Sequence, residues 1–429
     1  MINIKPISIS LSPNMQGDDI FLALKLLARM ITPPHPPFVR GGIALEDVFR
    51  EYLNTKYAFS FNSGRSALYV ILKALELKSG DEVLLQAFTC NAVPNPVIWA
   101  GGKPVYVDID DTLNIDPVDL EKKITLRQAQ GKLLRAVIIQ NTFGVPAQID
   151  KILEIARRHN LMVIEDCAHA LGAKFNNRLL GAFGDIAFFS FGRDKVISSV
   201  WGGMITTNNK NLADKISSIY KDLPYPSKFW TFKQLLHPVL FSIIIPSYYI
   251  FGKYFLAFLR VARGIGLAVS REERMGEMPD MFPARLPEAF ATLALHQFGK
   301  LEKYNAHRKK IAELYLEELS GSDPDSWGGL TPIVLPMEKE GAIYLRFNIR
   351  HPNAREIIKK AKQNHVLLGD WYKNVIDPVG TDFEKMGYTP GSCPKAEIAA
   401  NESINLPTHI NISGKNAQSI IDFLKNKNA

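Results

Sequence analysis

Two short apolar runs, each followed by chemically reactive side chains, constrain the fold of this sequence most. Leu161–Ile164 reads L-M-V-I, and Ile186–Phe189 reads I-A-F-F. Apolar runs of this length are typical of strands buried on both faces, as in a parallel sheet. Asp166 closely follows the first run, Ser190 directly follows the second, and Lys195 comes five residues later. The pattern predicts an α/β sheet with its ligand site at the carboxyl ends of the strands.

A lysine amine and an aspartate carboxylate at one edge of a sheet suit the chemistry of pyridoxal phosphate. This cofactor takes a lysine as its Schiff-base partner and a carboxylate that keeps its ring nitrogen protonated. Lys195 and Asp166 are the candidates for the two roles. Taken singly, each has a commoner explanation: a lysine after a strand is usually a solvated charge, and an aspartate there is often a helix cap.

Three motifs carry a resemblance to a known family. E-D-C-A-H-A-L-G-A begins at Glu165, F-F-S-F-x-x-x-K ends at Lys195, and G-G-M-I-T-T begins at Gly202. Together they resemble the DegT/DnrJ/EryC1/StrS family of nucleotide-sugar aminotransferases, over roughly Phe38–Thr207 and more weakly over Met281–Leu424. The resemblance implies the fold-type-I architecture of pyridoxal-phosphate-dependent transferases. This is a mainly parallel sheet with helices on both faces, a smaller α+β C-terminal domain, and a homodimeric assembly.

The resemblance also implies which residues bind the cofactor. The turn at Ser63 joins a predicted strand to a predicted helix, and free N–H groups there can hold a phosphate. On pattern alone the turn is equally well explained as an ordinary helix cap. The resemblance places the phosphate there and at Ser190, and it places the cofactor's 3-hydroxyl near His169. The expected cofactor-binding set is Gly64, Arg65, Ser66, Phe88, Cys90, Asp166, His169, Ser190 and Lys195, with Lys195 and Asp166 catalytic and no metal.

Four features depart from the family pattern. Cys90 stands where an aromatic that stacks on the cofactor ring is expected, which leaves either Phe88 or the thiol itself for that contact. The residues Gly192–Asp194 are unusual within the lysine motif, and Trp201 replaces a glutamate that is common in the family. Pro283 stands where an asparagine that reaches the neighbouring subunit's cofactor is expected. These departures leave open a binding protein that keeps the fold without the chemistry. The lysine argues against a dehydratase of the same fold, which carries histidine there.

The expected organisation is an N-terminal arm over residues 1–39, a large cofactor-binding domain over 40–300 and a small domain over 301–429. The arm contains the proline-rich segment Thr32–Pro37 and is expected to pack on a partner subunit. Thr125–Leu134 is expected to be a short polar insertion before a strand. One long helix is expected from Phe290 to Leu319, entering the small domain.

An apolar block, Pro238–Leu259, lies in an insertion of about residues 228–270 within the large domain. Its 22 residues carry one charge, Lys253. The length could span a bilayer, but Pro246 near the centre and the lysine argue against spanning. One interpretation is a helical hairpin buried against the partner subunit or its own domain. The other, which we favour, is a patch in the membrane interface, because the block is larger than an ordinary loop can bury. The block also leaves open a membrane-associated structural subunit as an alternative to the enzyme.

Composition limits the remaining partners. The net charge of +8 comes from 51 basic and 43 acidic residues without a dense basic block, which disfavours nucleic acid. Cys90, Cys167 and Cys393 lack the spacing of a zinc site or a disulfide framework. The amino terminus lacks signal-peptide features, so the expected location is cytoplasmic, with contact at the inner face of the membrane. The expected substrates are a nucleotide-linked keto sugar and an amino-acid donor, glutamate by family analogy.

Overall fold

The computed structural model describes residues 5–31, 41–262, 265–320 and 333–425. The first part of the chain contains β1 (Ile7–Ser8), α1 (Gly17–Ile31), α2 (Gly41–Leu53), β2 (Tyr57–Phe61), α3 (Gly64–Ala74), β3 (Glu82–Gln86), β4 (Thr89–Cys90), α4 (Pro94–Trp99), β5 (Lys103–Val107), α5 (Pro117–Ala129), β6 (Leu134–Gln140), α6 (Ile149–Arg158), β7 (Met162–Asp166), β8 (Lys174–Phe175), β9 (Arg178–Leu179), β10 (Ile186–Ser190), β11 (Gly203–Thr207) and α7 (Lys210–Asp222). The second part contains α8 (Lys228–Ile244), α9 (Lys253–Val261), α10 (Arg271–Arg274), α11 (Glu288–Phe298), α12 (Leu301–Ser320), β12 (Arg346–Arg350), α13 (Ala354–Gln363), β13 (Val366–Leu367), β14 (Ile376–Asp377), α14 (Pro394–Glu402), β15 (Ser403–Pro407) and α15 (Gly414–Lys425).

A seven-stranded sheet in the order β2-β11-β10-β7-β6-β3-β5 organises the larger part of the molecule. Its ladders are parallel except for the two that β11 makes with its neighbours. Successive residues of β3 and β6 alternate between two separate apolar cores, so the sheet is buried on both faces. This confirms the predicted α/β sheet, and it brings the ends of β2, β7 and β10 to one edge.

A smaller β-structure is built mostly by the C-terminal part of the chain. β12 and β15 pair antiparallel, and their buried residues Phe347, Ile349, Ile404 and Leu406 form a third apolar core with α12, α13 and α15. The N-terminal strand β1 joins this region, because it pairs parallel with β13. The short strand β14 pairs with β4, which connects the region to the large sheet.

Two predicted elements differ from the structure. Thr125–Leu134 is not a polar insertion: α5 continues to Ala129 and only a turn separates it from β6. The cause is an amphipathic helix capped by Asp116, whose Leu120 and Ile124 are fully buried. The helix expected from Phe290 to Leu319 is two helices, because a turn at residues 299–300 separates α11 from α12.

The apolar insertion forms a bent pair of helices. α8 leads into a π-helical turn, Tyr248–Gly252, and then into α9. Phe241, Ile244 and Leu256 build a fourth small core, against which Leu11 of the N-terminal segment packs. Helix α1 packs along α8 and α11. The proline-rich segment of the expected arm lies outside the described residues.

Within the described residues, no single helix has the length and apolar character needed to cross a membrane. Helix α8 and the segment Tyr248–Val261 pass that test only as a pair, bent by 110°.

Candidate active site

Lys195 and Asp166 come together at the edge of the large sheet. Asp166 ends β7, and Lys195 lies in the loop after the adjacent strand β10. Burial raises the pKa of Asp166 to about 6, although the Ala168 N–H and the Lys195 charge act in the opposite direction. Desolvation lowers the pKa of Lys195 to about 8, and Asp166 partly offsets this change. The two groups therefore form an interacting acid and amine that both titrate near neutral pH.

The main chain at Lys195 is held by residues distant in sequence. The Asn14 side-chain Nδ2 donates hydrogen bonds to the carbonyls of Lys195 and Val196, at 2.6 and 3.1 Å. Arg308 is fully buried and donates to the Val196 carbonyl at 2.7 Å, to Asn14 Oδ1 at 2.8 Å and to Asn305 Oδ1 at 2.7 Å. This network fixes the position of the lysine, and sequence reasoning missed the part played by Asn14, which carries no local signal.

The expected phosphate turn is compact and close to β10. Ser63 caps α3, accepting a hydrogen bond from the Ser66 N–H at 3.1 Å. A Cβ atom added to Gly64 would lie 3.0 Å from the Cβ of Ser190, and one added to Gly203 would lie 2.5 Å from the Ser63 carbonyl. Glycine is therefore required where the turn and β11 touch. The arrangement gathers the first-turn N–H groups of α3 beside the Ser190 hydroxyl, as an anion site needs.

The Arg65 side chain is engaged by other protein groups. Its guanidinium forms an ion pair with the buried carboxylate of Glu273. It also lies over the rings of Trp201 and Phe282, with its Cζ atom 5.2 and 4.8 Å from the ring centroids. The main-chain N–H of Arg65, rather than its side chain, is therefore the group available to bind an anion.

A row of aromatic rings borders His169. The imidazole stacks on Phe143 at 5.8 Å, and Phe143 stacks on Tyr372 at 5.7 Å. The Phe143 N–H donates to His169 Nδ1 at 3.3 Å, and desolvation, followed by nearby cations, holds the His169 pKa well below its ordinary value. The imidazole is therefore neutral, and its Nε2 is the atom left to carry the ring proton.

The two candidates for ring contact lie in different surroundings. Phe88 is fully buried and meets Phe143 and Tyr372 edge-on, at 6.2 and 5.2 Å. Cys90 is partly exposed and interacts electrostatically with Lys195. Burial raises the Cys90 pKa to about 11, so its thiol stays protonated.

The smaller region supplies a further site residue, Arg346 of β12. It is 6% exposed, and its charge acts on both Lys195 and His169. Sequence reasoning missed it, although the strand did carry a signal. Arg346, Asn348 and Arg350 alternate with apolar residues, which is the pattern of a strand with one polar face.

The loop before Lys195 is tied to the apolar insertion. Arg193 donates to Gln234 Oε1 of α8 at 2.9 Å, and Trp201 Nε1 donates to the same oxygen at 3.1 Å. Arg193 also donates to the Gly266 carbonyl at 2.7 Å.

Comparison with known proteins assigns this arrangement to a family. The model of the DegT/DnrJ/EryC1/StrS aminotransferase family matches residues 42–230 and 256–425. The chain belongs to this family. Residues 231–255, which the family model leaves unmatched, include most of α8 and the start of the apolar block's second half. As a member, the protein is a pyridoxal-phosphate-dependent aminotransferase.

Several proteins of known sequence resemble the aminotransferase over different lengths. The UDP-N-acetyl-3-dehydro-alpha-D-glucosamine 3-aminotransferase of Acidithiobacillus ferrooxidans is 28% identical over 376 residues, covering 86% of this chain and 84% of the relative. The GDP-perosamine synthase of Caulobacter vibrioides is 41% identical over 175 residues, which is 41% of this chain and 46% of the relative. Among solved structures, PseC of Helicobacter pylori superposes with a TM-score of 0.73 at 18% identity, covering 99% of both chains, which shows the shared fold.

The residues present fit pyridoxal phosphate. Among the described residues the Lys195 Nζ makes no hydrogen bond or ion pair, and the buried Asp166 carboxyl lies in electrostatic reach of it. The glycine contacts at residues 64 and 203 leave the α3 turn free of side-chain bulk where a phosphate would lie. Lysine, aspartate and the N-terminus of a helix are the donor set that this cofactor needs.

Proposed function

We propose that this aminotransferase transfers the amino group of glutamate to the keto group of a nucleotide-linked sugar, in the synthesis of a surface glycan. The observation that carries the proposal is the Lys195–Asp166 pair beside the α3 turn, in a chain that belongs to an aminotransferase family. The names of the relatives, a UDP-sugar 3-aminotransferase and a GDP-perosamine synthase, support the sugar class.

The proposed roles follow from the surroundings of each residue. Bound pyridoxal phosphate supplies an electron sink for the carbon that loses a proton. The Lys195 Nζ, with a pKa of about 8, takes that proton from the amino-bearing carbon of the donor and returns a proton to the carbon of the sugar. The Asp166 carboxylate stabilises a positive charge on the cofactor's ring nitrogen.

We propose the following contacts for the cofactor. The main-chain N–H groups of Gly64, Arg65 and Ser66 hold the phosphate together with the Ser190 hydroxyl. The neutral His169 donates from Nε2 to the 3-oxygen. Cys90 faces the cofactor ring, while Phe88 supports the aromatic row from the core.

The test separates the two halves of the reaction. Glutamate alone is expected to yield one 2-oxoglutarate per active site and to bleach the cofactor's visible band, and a UDP- or GDP-linked keto sugar is then expected to restore that band. Lys195→Ala should abolish both. Bound cofactor without formation of the corresponding 2-oxo acid from any of a panel of amino acids would favour the non-catalytic binding protein.

We propose that the working form is a homodimer. Membership of the family supports an assembly of two chains, as the resemblance implies. Sedimentation equilibrium at micromolar concentration is expected to give twice the 48.0 kDa chain mass. A monomer with full activity would contradict this.

We propose further that the insertion contacts an anionic membrane surface. Ile250, Phe251, Tyr254, Phe258 and Val261 are at least half exposed. Residues 228–261 contain four basic and no acidic residues, so the charge suits anionic lipid. On the neighbouring α1, the exposed side chains of Phe21 and Leu24 add to the apolar surface.

Flotation with liposomes tests the membrane proposal. The protein is expected to float with vesicles that contain anionic lipid, and a Phe251→Ser, Phe258→Ser double variant should lose flotation but keep the cofactor band. Val118→Ser removes an equally exposed apolar side chain from α5 and should float like the parent. If the parent does not float and the double variant sediments as a monomer, the surface is instead an interface between two copies.

A further inference from the structure

Arg346 is a buried cation whose guanidinium has no hydrogen-bonding partner in the part of the chain that the structure describes, although the charges of Asp194, Asp370 and Asp377 act on it. Its guanidinium is 6% exposed, and burial lowers its pKa. Among the described residues its guanidinium makes no hydrogen bond or ion pair, and it lies over the ring of Trp371, whose centroid is 3.7 Å from its Cζ. Arg308, in contrast, is fully buried and donates to Asn305 Oδ1, Asn14 Oδ1 and the Val196 carbonyl. The N–H groups of Arg346 are therefore not used by the described protein groups and are available to a ligand that enters the neighbouring cleft.

The surroundings of Arg346 leave its edge available. Trp371 is held in place through its main chain. Its main-chain N–H donates to Asn405 Oδ1 at 2.9 Å, and its carbonyl accepts from the Ser403 hydroxyl at 3.0 Å. Its ring covers one face of the guanidinium, and the N–H groups lie in the plane of the guanidinium. A planar anion can therefore bind edge-on through two parallel hydrogen bonds.

A cleft opens in front of this strand. It has a volume of about 420 Å³, counted to its open mouth, and Arg346, Asn348 and Arg350 line it from β12. Phe143 lines the opposite side and stacks on His169, which places the cleft beside the candidate active site. The Arg346 charge acts on Lys195 as well, so the cleft and the amine are within electrostatic reach of each other.

We propose that Arg346 binds a carboxylate of the amino-acid donor. The inference rests on the proposed function, because it assumes a donor whose amino-bearing carbon meets Lys195. The α-carboxylate is bonded directly to that carbon. A nucleotide's diphosphate is separated from the reacting carbon by the anomeric carbon and oxygen, and for most positions by further ring atoms.

The two half-reactions of the cofactor-loaded enzyme distinguish these ligands. Arg346→Gln is expected to weaken glutamate binding about 10- to 100-fold, the size of a lost charge-assisted contact, and to change the sugar half-reaction less than about threefold. Arg355→Gln is the matched control. It removes a partly buried guanidinium that shares Asp370 and Asp377 as charged neighbours but does not act on Lys195.

A binding measurement gives a readout independent of turnover. Glutarate, a dicarboxylate without an amine, is expected to raise the melting temperature of the parent and of Arg355→Gln, but not of Arg346→Gln. If Arg346→Gln does not fold, Arg346→Lys is measured instead. Lysine keeps the positive charge but cannot make two parallel hydrogen bonds to one carboxylate. Arg346→Lys is then expected to bind glutarate at least about tenfold more weakly than the parent does.

The results separate failure of this inference from failure of the proposed function. A parent enzyme that reacts with no amino donor overturns the proposed function. A parent that reacts with glutamate, together with an unaffected Arg346→Gln, overturns the inference alone. A loss of rate confined to the sugar half-reaction of Arg346→Gln would mean that the guanidinium binds the diphosphate. This result would also overturn the inference.

Discussion

Replacing Asn14 with alanine should destabilise the fold and also loosen the main chain at Lys195. Asn14 is 1% exposed and makes three side-chain hydrogen bonds, to the carbonyls of Lys195 and Val196 and from the guanidinium of Arg308. In the variant, the Lys195 carbonyl loses its partner and the buried guanidinium loses one acceptor. The Val196 carbonyl keeps its bond from Arg308. A buried carbonyl without a partner costs about 1–3 kcal/mol, and a hydrogen bond to a charged group contributes about 1.5–3 kcal/mol. The expected loss is therefore about 3–5 kcal/mol.

The chain offers a matched control for this substitution. Asn411 also donates from Nδ2 to two carbonyls of the N-terminal segment, those of Pro13 and Met15, at 2.9 and 3.1 Å, but it is exposed to solvent. Water can replace both bonds, so Asn411→Ala should cost about 1 kcal/mol or less.

The assay is urea unfolding of both cofactor-free variants, followed by tryptophan fluorescence after reversibility is established. The cofactor affinity of each variant is measured separately, and only Asn14→Ala should weaken it, since that variant frees the main chain at Lys195. If the two variants differ by less than about 1 kcal/mol, the buried network does not carry the energy that its geometry indicates.

Three further predictions concern the cofactor site. Because desolvation lowers the pKa of Lys195 to about 8, the rate at which the cofactor-free protein gains its visible band should rise up to about pH 8 and level off above it; a rate still rising tenfold per unit beyond pH 9.5 would indicate an ordinary lysine. Asp166→Asn should retain the cofactor but slow the glutamate half-reaction at least about 100-fold, and near-normal turnover would remove its assigned role. Gly203→Ala should cost about 1–3 kcal/mol and weaken cofactor binding, because its Cβ would lie 2.5 Å from the Ser63 carbonyl. Gly17→Ala, where nothing lies within 4 Å, should change neither property, and equal effects of the two would refute the close-contact argument.

The parts of the site that sequence predicted are those fixed by short stretches of chain. Asp166 and Ser190 end buried strands, and a parallel sheet brings such ends to one edge whatever lies between them. The capping of α3 by Ser63 is equally local. These features follow from apolar runs and turn residues a few positions apart, which is the range over which a sequence pattern is informative.

The parts that were missed depend on contacts between distant segments. Asn14 reaches Lys195 across 181 positions, and only the folded chain determines which polar group meets that carbonyl. The Arg65 side chain lies beside the expected phosphate turn, but Glu273 engages it in an ion pair, and no local pattern relates the two. Arg346 is intermediate, since the polar alternation of its strand was visible but its approach to Lys195 was not.

The departures near the lysine and the apolar insertion have a common structural explanation. Arg193 and Trp201 lie on either side of Lys195 in sequence, and both donate to the single oxygen Oε1 of Gln234. Gln234 is buried on α8, within the stretch that the family model leaves unmatched. An arginine and an indole can donate hydrogen bonds to that oxygen, whereas a glutamate at position 201 would place a carboxylate against it, with no proton to donate. The unusual residues on either side of Lys195 are therefore explained by their shared contact with α8, and this helix helps to hold the loop that carries Lys195.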